Sequence, residues 1–111
     1  MSEVEVTTLK RLEGYKFKAE YAAGVPSLIV DELAPIGEGP GPSPTLLLST
    51  AVGHCLSSSL LFCLQKARIK VNDLQATIVA NKAKNPEGRQ RVANIDVKLQ
   101  LTIAEEDKPR V

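Results

Sequence analysis

A charge-free run from Thr45 to Gln65, entered through the Gly- and Pro-dense segment Gly37 to Pro44 (GEGPGPSP), constrains this chain more than any other feature. The Gly/Pro segment can hold neither a helix nor a strand ladder, and it ends in a strong helix-start signal, with Ser43 as N-cap and Pro44 as first helical residue. The pattern predicts a helix from about Pro44 to Arg68, roughly 36 Å long at about 1.5 Å per residue. Lys66, Arg68 and Lys70 fall near its C-terminal end, where the helix dipole favours cations. Its middle is apolar or small on every side, so it has to be covered all round, by the sheet on one face and by something else on the other. Ser49, Thr50, His54, Ser57, Ser58 and Ser59 make it too polar for a membrane span, and it reads as the buried helix of a soluble protein.

The flanking segments carry strand periodicity. Tyr15, Phe17, Ala19 and Tyr21 alternate with Lys16, Lys18 and Glu20. Val4 and Val6 mark a weaker strand before them, with Glu13-Gly14 as the turn, and Ser27 to Val30 mark another after the Gly24-Val25-Pro26 turn. These three make an antiparallel meander. Beyond the helix, Leu74, Ala76, Ile78 and Ala80 alternate, as do Ile95, Val97, Leu99, Leu101 and Ile103. Asn85-Pro86-Glu87-Gly88 between them has type I turn chemistry, giving a second hairpin. The fold class is therefore α+β: a three-stranded meander, a long central helix and a second β-hairpin.

At 111 residues the chain is one domain, residues 1–111, whose core is modest enough that help from a partner is expected. With 14 Lys+Arg against 13 Asp+Glu, a formal charge of +1 provides no field to gather polyanions, so neither nucleic acid nor a membrane is an expected partner. Two cysteines and no signal segment argue against a secreted disulfide scaffold and place the protein in the cytoplasm. Glu105, Glu106 and Asp107 resemble the acidic first turn of a helix, but only Lys108 to Val111 follow. A C-terminally truncated domain is the expectation, with an apolar patch left where the missing helix would cover the Ile95 to Ile103 strand or the central helix.

Few residues offer chemistry. Cys55 lies mid-helix, with Leu48, Ala51, Val52, Ser58, Ser59 and Phe62 on the same side by three-and-four spacing. Such a small-residue stripe admits a second copy of the helix and would place Cys55 at a subunit seam; equally, Cys55 is a small core residue. Cys63 lies about 12 Å along the helix from Cys55, beyond disulfide reach, and reads as a packing residue. His54 adjoins Cys55 but points about 100° away from it, a poor geometry for a catalytic pair, and reads as a partly buried helix residue. The two cysteines and one histidine match no familiar metal spacing, so no metal and no cofactor is expected. Gly37, Gly39 and Gly41 alternate with prolines that lack amide donors, which makes their loop structural rather than phosphate-binding. Lys82, Lys84, Arg89 and Arg91 bracket the hairpin turn without aromatic stacking platforms and read as a solvated tip.

Gly41-Pro42-Ser43-Pro44, then Leu46-Leu47-Leu48, Ala51, Gly53 and Cys55, with eleven positions from Pro44 to Cys55, resembles the central helix of the OsmC/Ohr family of thiol-dependent hydroperoxide reductases. Leu64-Gln65-Lys66 with Arg68, the strand Val71 to Ala80, and Val30-Asp31-Glu32 are most similar to its OsmC-like subgroup. The likeness runs from about Leu12 to Arg110. It implies an intertwined homodimer of α+β subunits with Cys55 as peroxidatic cysteine, a small hydroperoxide as substrate and a thiol as reductant, in defence against oxidative stress. In the clearest reductases a Glu directly after the helix-opening proline pairs with an Arg facing the cysteine. Thr45 holds that position here, a departure from the pattern, and Arg11 is the only candidate arginine from that part of the chain, so these two are the candidate accessory residues. The resolving cysteine of the family lies in a C-terminal helix followed by a final strand, neither of which follows Arg110. The alternative is a non-enzymatic dimer that binds a small ligand or carries a reactive but non-catalytic thiol.

Overall fold

The computed structural model describes residues 4–22 and 24–111. Its elements run β1 (Thr7–Glu13), β2 (Lys16–Tyr21), β3 (Leu28–Val30), α1 (Pro44–Lys66), β4 (Val71–Lys84), β5 (Gln90–Ile103) and a 3₁₀ helix at Glu105–Arg110. They group into two compact units, one up to Leu47 and the other from Leu48 onward.

In the first unit, β1, β2 and β3 form an antiparallel sheet in that order. Gly14 turns β1 into β2 with φ 52°, a left-handed conformation that suits glycine. The meander is thus the expected one, but its first strand lies further along than Val4 and Val6, which are exposed and outside any strand. Every residue of β1 is exposed, so no buried face imposes on TTLKRLE the alternation that would have marked it. Tyr15 likewise belongs to the turn rather than to β2, and β3 begins at Leu28 rather than Ser27. Ala19 and Val30 are the buried apolar residues of this unit among the described residues.

The second unit joins most of α1 to the β4–β5 hairpin. Leu74, Ala76, Ile78 and Ala80 on β4 and Ile95, Val97, Leu101 and Ile103 on β5 are partly buried, and most of the residues between them are exposed. That is the alternation a one-sided sheet demands. The hairpin turns as its chemistry dictates: Gly88 N–H donates to Asn85 O (2.9 Å), Glu87 N–H donates to Asn85 Oδ1 (3.0 Å), and Gly88 has φ 81°.

Both ends of α1 are capped. Ser43 Oγ accepts the N–H of Leu46 (3.2 Å), and the buried Ser43 is the N-cap the sequence signalled. The helix stops at Lys66, two residues short of the expected Arg68, because Arg68 turns left-handed (φ 59°). Ile69 N–H then donates to Leu64 O (2.9 Å) and Arg68 N–H to Gln65 O (3.0 Å), a Schellman motif in which the buried Ile69 and Leu64 supply the usual apolar contact. Arg110 from the 3₁₀ helix adds a guanidinium donor to Ala67 O, the kind of cation a helix C-terminus favours. The acidic Glu105–Asp107 cluster therefore does open a helical segment, a 3₁₀ one that encloses Pro109.

The helix is not covered all round. Ser49, Gly53 and Leu64 are its buried residues, whereas Leu46, Leu48, Leu56 and Phe62 are exposed. By length and composition alone α1 is long and apolar enough to cross a membrane, and little of it is buried. One face of α1 packs on its own chain and the others do not, as expected of a helix whose remaining cover has to come from something else. That face is tight, since a Cβ placed on Gly53 would lie 2.7 Å from Ile78 Cγ1 and nearer still to its Cδ1.

Candidate functional site

Cys55 sits near the middle of α1 as an exposed, unpaired thiol. The face that carries it, Leu48, Ala51, Ser58, Ser59 and Phe62, is exposed as well, with Phe62 60% accessible and Lys66 Nζ 5.1 Å from the centre of its ring. Reading Cys55 as a small core residue does not fit this chain, because the buried face of α1 is the Ser49, Gly53, Leu64 side. Cys63 is exposed and unpaired too, which corrects its packing role, and His54 is exposed rather than partly buried. All three corrections share the cause given above: the chain covers one face of its helix.

Thr45, in the first turn of α1, is partly buried. Ten positions separate it from Cys55, about 15 Å along a continuous helix, so the helix itself keeps the two side chains apart. Arg11 is on β1 directly opposite Phe17, and its Nε donates to Gly14 O (2.9 Å), which folds the guanidinium back over its own hairpin. The first unit holds an apolar cleft of about 250 Å³ lined by Leu9, Tyr15, Phe17, Val30, Asp31, Glu32, Pro44 and Leu47, and neither Arg11 nor Thr45 lines it. Phe17 is the strand partner of Arg11, and Pro44 precedes Thr45.

The cleft was not visible in the sequence, nor was the device that shapes its rim. Asp31, 3% accessible, accepts the N–H of Glu32 at Oδ1 (2.7 Å) and the N–H of Glu38 at Oδ2 (3.0 Å), while its own N–H donates to Pro42 O (3.3 Å). One buried carboxylate thus ties β3 to the Gly/Pro loop. The glycines of that loop are required by close approach: a Cβ on Gly37 would collide with Asp31 and with the carbonyl of Glu32, and one on Gly41 would lie 2.8 Å from the carbonyl carbon of Ile29.

Beside the latch, a second cleft of about 310 Å³ is lined by Glu13, Lys16, Asp31 and Glu38 among others. Lys16 Nζ lies 3.4 Å from Glu13 and 3.7 Å from Glu38. Partial desolvation lowers the pKa of this amine, but Glu38, Glu13 and Asp31 together outweigh it and hold it above its ordinary 10.5. Among the described residues no three His, Cys, Asp or Glu side chains are grouped to hold a metal ion.

Against this geometry, comparison with known proteins is informative. The model of the family described as OsmC-like protein matches residues 37–111, well over half of the chain. No curated protein matches the sequence. Among solved structures, an OsmC-like protein of unknown function from Vibrio cholerae shares 18% identity, with a TM-score of 0.76 over 94% of this chain and 77% of that one. A Psychrobacter arcticus protein, named as an osmotic stress induced and detoxification response protein, shares 18% identity, with a TM-score of 0.80 over 99% of this chain and 79% of that one. At such identity these two structures speak to the fold, which is the α+β arrangement described above.

Proposed function

Since the chain belongs to the OsmC-like protein family, we propose that it reduces hydroperoxides in a stress response, with Cys55 as the peroxidatic nucleophile of a soluble, cytoplasmic homodimer. The observation that carries this reading is the unpaired, exposed Cys55 at mid-helix, on a face left open by its own chain. The Cys55 thiolate attacks one oxygen of the hydroperoxide, the O–O bond breaks, and the leaving alkoxide takes a proton to depart as an alcohol. The sulfur, oxidised by two electrons, keeps one oxygen as a sulfenic acid.

Cys63, about 12 Å along the same helix, is too far to condense with that sulfenic acid within one protomer. A small thiol therefore displaces water to give a mixed disulfide, and a second thiol releases Cys55 and carries the disulfide away. Arg11 is the accessory cation in this scheme, and Thr45 stands where the clearest reductases place a glutamate. Thiol titration before and after one equivalent of cumene hydroperoxide, on wild type and Cys55→Ser, tests the reading. The wild type should lose one more thiol per chain than the variant, and two equally inert folded proteins would overturn it. The apolar cleft lined by Leu9, Phe17, Val30 and Leu47 favours a second reading, a ligand-binding dimer without peroxidase chemistry. Those inert proteins would leave this second reading standing.

A further inference from the structure

The β4–β5 hairpin outruns its own half-buried face. The inward alternation ends at the pair Ala80 and Ile95, and beyond it every residue from Asn81 to Asn94 except Asn85 is exposed. A register shift between Asn81 and Lys82 marks the boundary, yet the ribbon continues, with Lys82 opposite Val92, Ala83 opposite Arg91 and Lys84 opposite Gln90. Its tip is held in shape: Asn85 Oδ1 accepts the N–H groups of Glu87 and Arg89 (3.0 Å each), and Asn85 N–H donates to Arg89 O (2.8 Å). Lys82, Lys84, Arg89 and Arg91 against Glu87 give residues 81–92 a charge of +3, in a chain whose formal total is +1. The ion pairs among the described residues engage Lys10, Lys16, Lys108 and Arg110, and none involves these four cations. The next carboxylate along β5, Asp96, accepts an N–H from Asn81 instead (2.9 Å).

We propose that this exposed end of the hairpin is an arm that binds double-stranded DNA through its phosphates, without reading sequence. Successive residues of a strand face opposite ways, so Lys82 and Lys84 lie on one face of the ribbon and Arg91 on the other. Arg91 Nη1 donates to Gln90 O (3.0 Å), which steadies the guanidinium without neutralising it. A planar anionic surface such as a membrane meets one face at a time, and the arm has no aromatic side chain to seat in an interface. Single strands are bound on stacking platforms, which the arm lacks for the same reason. The major groove of B-form DNA, about 12 Å wide, admits a two-stranded ribbon and sets phosphates on both sides of it, which satisfies cations on both faces. The deep, narrow major groove of duplex RNA does not admit it. The chain's total of +1 is no obstacle at this range: at physiological salt a surface charge is felt over about 8 Å, so phosphates beside the arm meet its local charge.

The test follows the fluorescence anisotropy of a labelled duplex of about 20 base pairs as full-length protein is added at pH 7, in 50 to 200 mM NaCl. Four phosphate contacts give log K a slope of about −3.6 against log salt, a loss of roughly 100-fold or more over that range, and a steeper one where two arms share a duplex. Two duplexes of unrelated sequence should bind within about threefold of each other. Lys82→Glu with Lys84→Glu on one face, and Arg89→Glu with Arg91→Glu on the other, should each weaken binding at least about tenfold at 100 mM salt. The same change of charge on the first sheet, Lys10→Glu with Lys18→Glu, should weaken it less than about threefold. No binding at 50 mM salt with about 100 µM protein overturns the proposal. So does a single strand, polyglutamate or a phosphatidylserine vesicle bound as tightly as the duplex. A loss confined to one face of the ribbon, or an equal loss from the first sheet, overturns it as well. The wild-type salt slope and the comparison of these four partners decide the matter if the arm variants fail to fold.

Discussion

Two residues hold local structure together in ways that single substitutions can measure. Arg68 adopts φ 59°, a region that costs an L-residue about 1–2 kcal/mol and a glycine almost nothing. Arg68→Gly should therefore stabilise the protein by about 1 kcal/mol, less any entropy the glycine adds to the unfolded chain, and raise its melting temperature in calorimetry by several degrees. Asp31→Ala acts in the other direction. It strips the partner from the Glu32 and Glu38 amides in a part-buried setting, and an orphaned donor costs about 1–3 kcal/mol. Urea unfolding should show that loss, whereas Glu38→Ala, which keeps the backbone N–H, should not. On the exposed sheet surface, the hydrogen bond and charge of Lys10 hold Glu20 below its ordinary pKa of 4.5. The carboxylate's small contribution is thus present above pH 4.5 and fades as pH falls through the lower folded value. Unlike Asp31, the Ser43 cap and the Asn85 turn were readable from sequence. Their roles are local, set by a side chain bonding a backbone amide two or three residues on. Asp31 reaches seven residues to Glu38, a distance that no neighbour pattern reports.

At the scale of elements, the contact between α1 and the second sheet turns on Gly53. A leucine there would have to displace Ile78, so Gly53→Leu should cost about 1–3 kcal/mol in chemical denaturation. Gly53→Ala should cost less, because the roughly 1 kcal/mol gained in helix propensity opposes the smaller clash. The β4–β5 hairpin was legible because one of its faces is half-buried, and burial writes a period of two into Leu74 to Ala80 and Ile95 to Ile103. β1 was not, because a strand exposed along its whole length is free to be TTLKRLE, and the eye settles instead on Val4 and Val6. The helix was legible in extent to within two residues, since caps are local, but not in burial. A sequence that is apolar all round says that cover is needed without saying which molecule provides it.

For the molecule as a whole, that unsatisfied need is the strongest physical support for the proposed homodimer. Leu46, Leu48, Leu56 and Phe62 are exposed on a single helix, while the buried apolar residues among the described ones are Ala19, Val30, Leu64 and Ile69. Leaving so much aliphatic and aromatic surface in water forfeits roughly 25 cal/mol for each Å² that a partner could cover. The Leu48, Ala51, Cys55, Ser58, Ser59 side is lined with small residues that let a second backbone approach closely, which would enclose the thiol and exclude water from the peroxide chemistry. A bulky side chain in the middle of that stripe would hold the two backbones apart without touching the buried Gly53 and Leu64 face. Ser58→Trp should accordingly weaken dimerisation by at least about tenfold while leaving the far-ultraviolet circular dichroism of the protomer unchanged. Multi-angle light scattering from sub-micromolar to hundred-micromolar protein measures the shift. A wild type that stays monomeric across that range would remove the dimer from the proposal, and with it the enclosed position for Cys55.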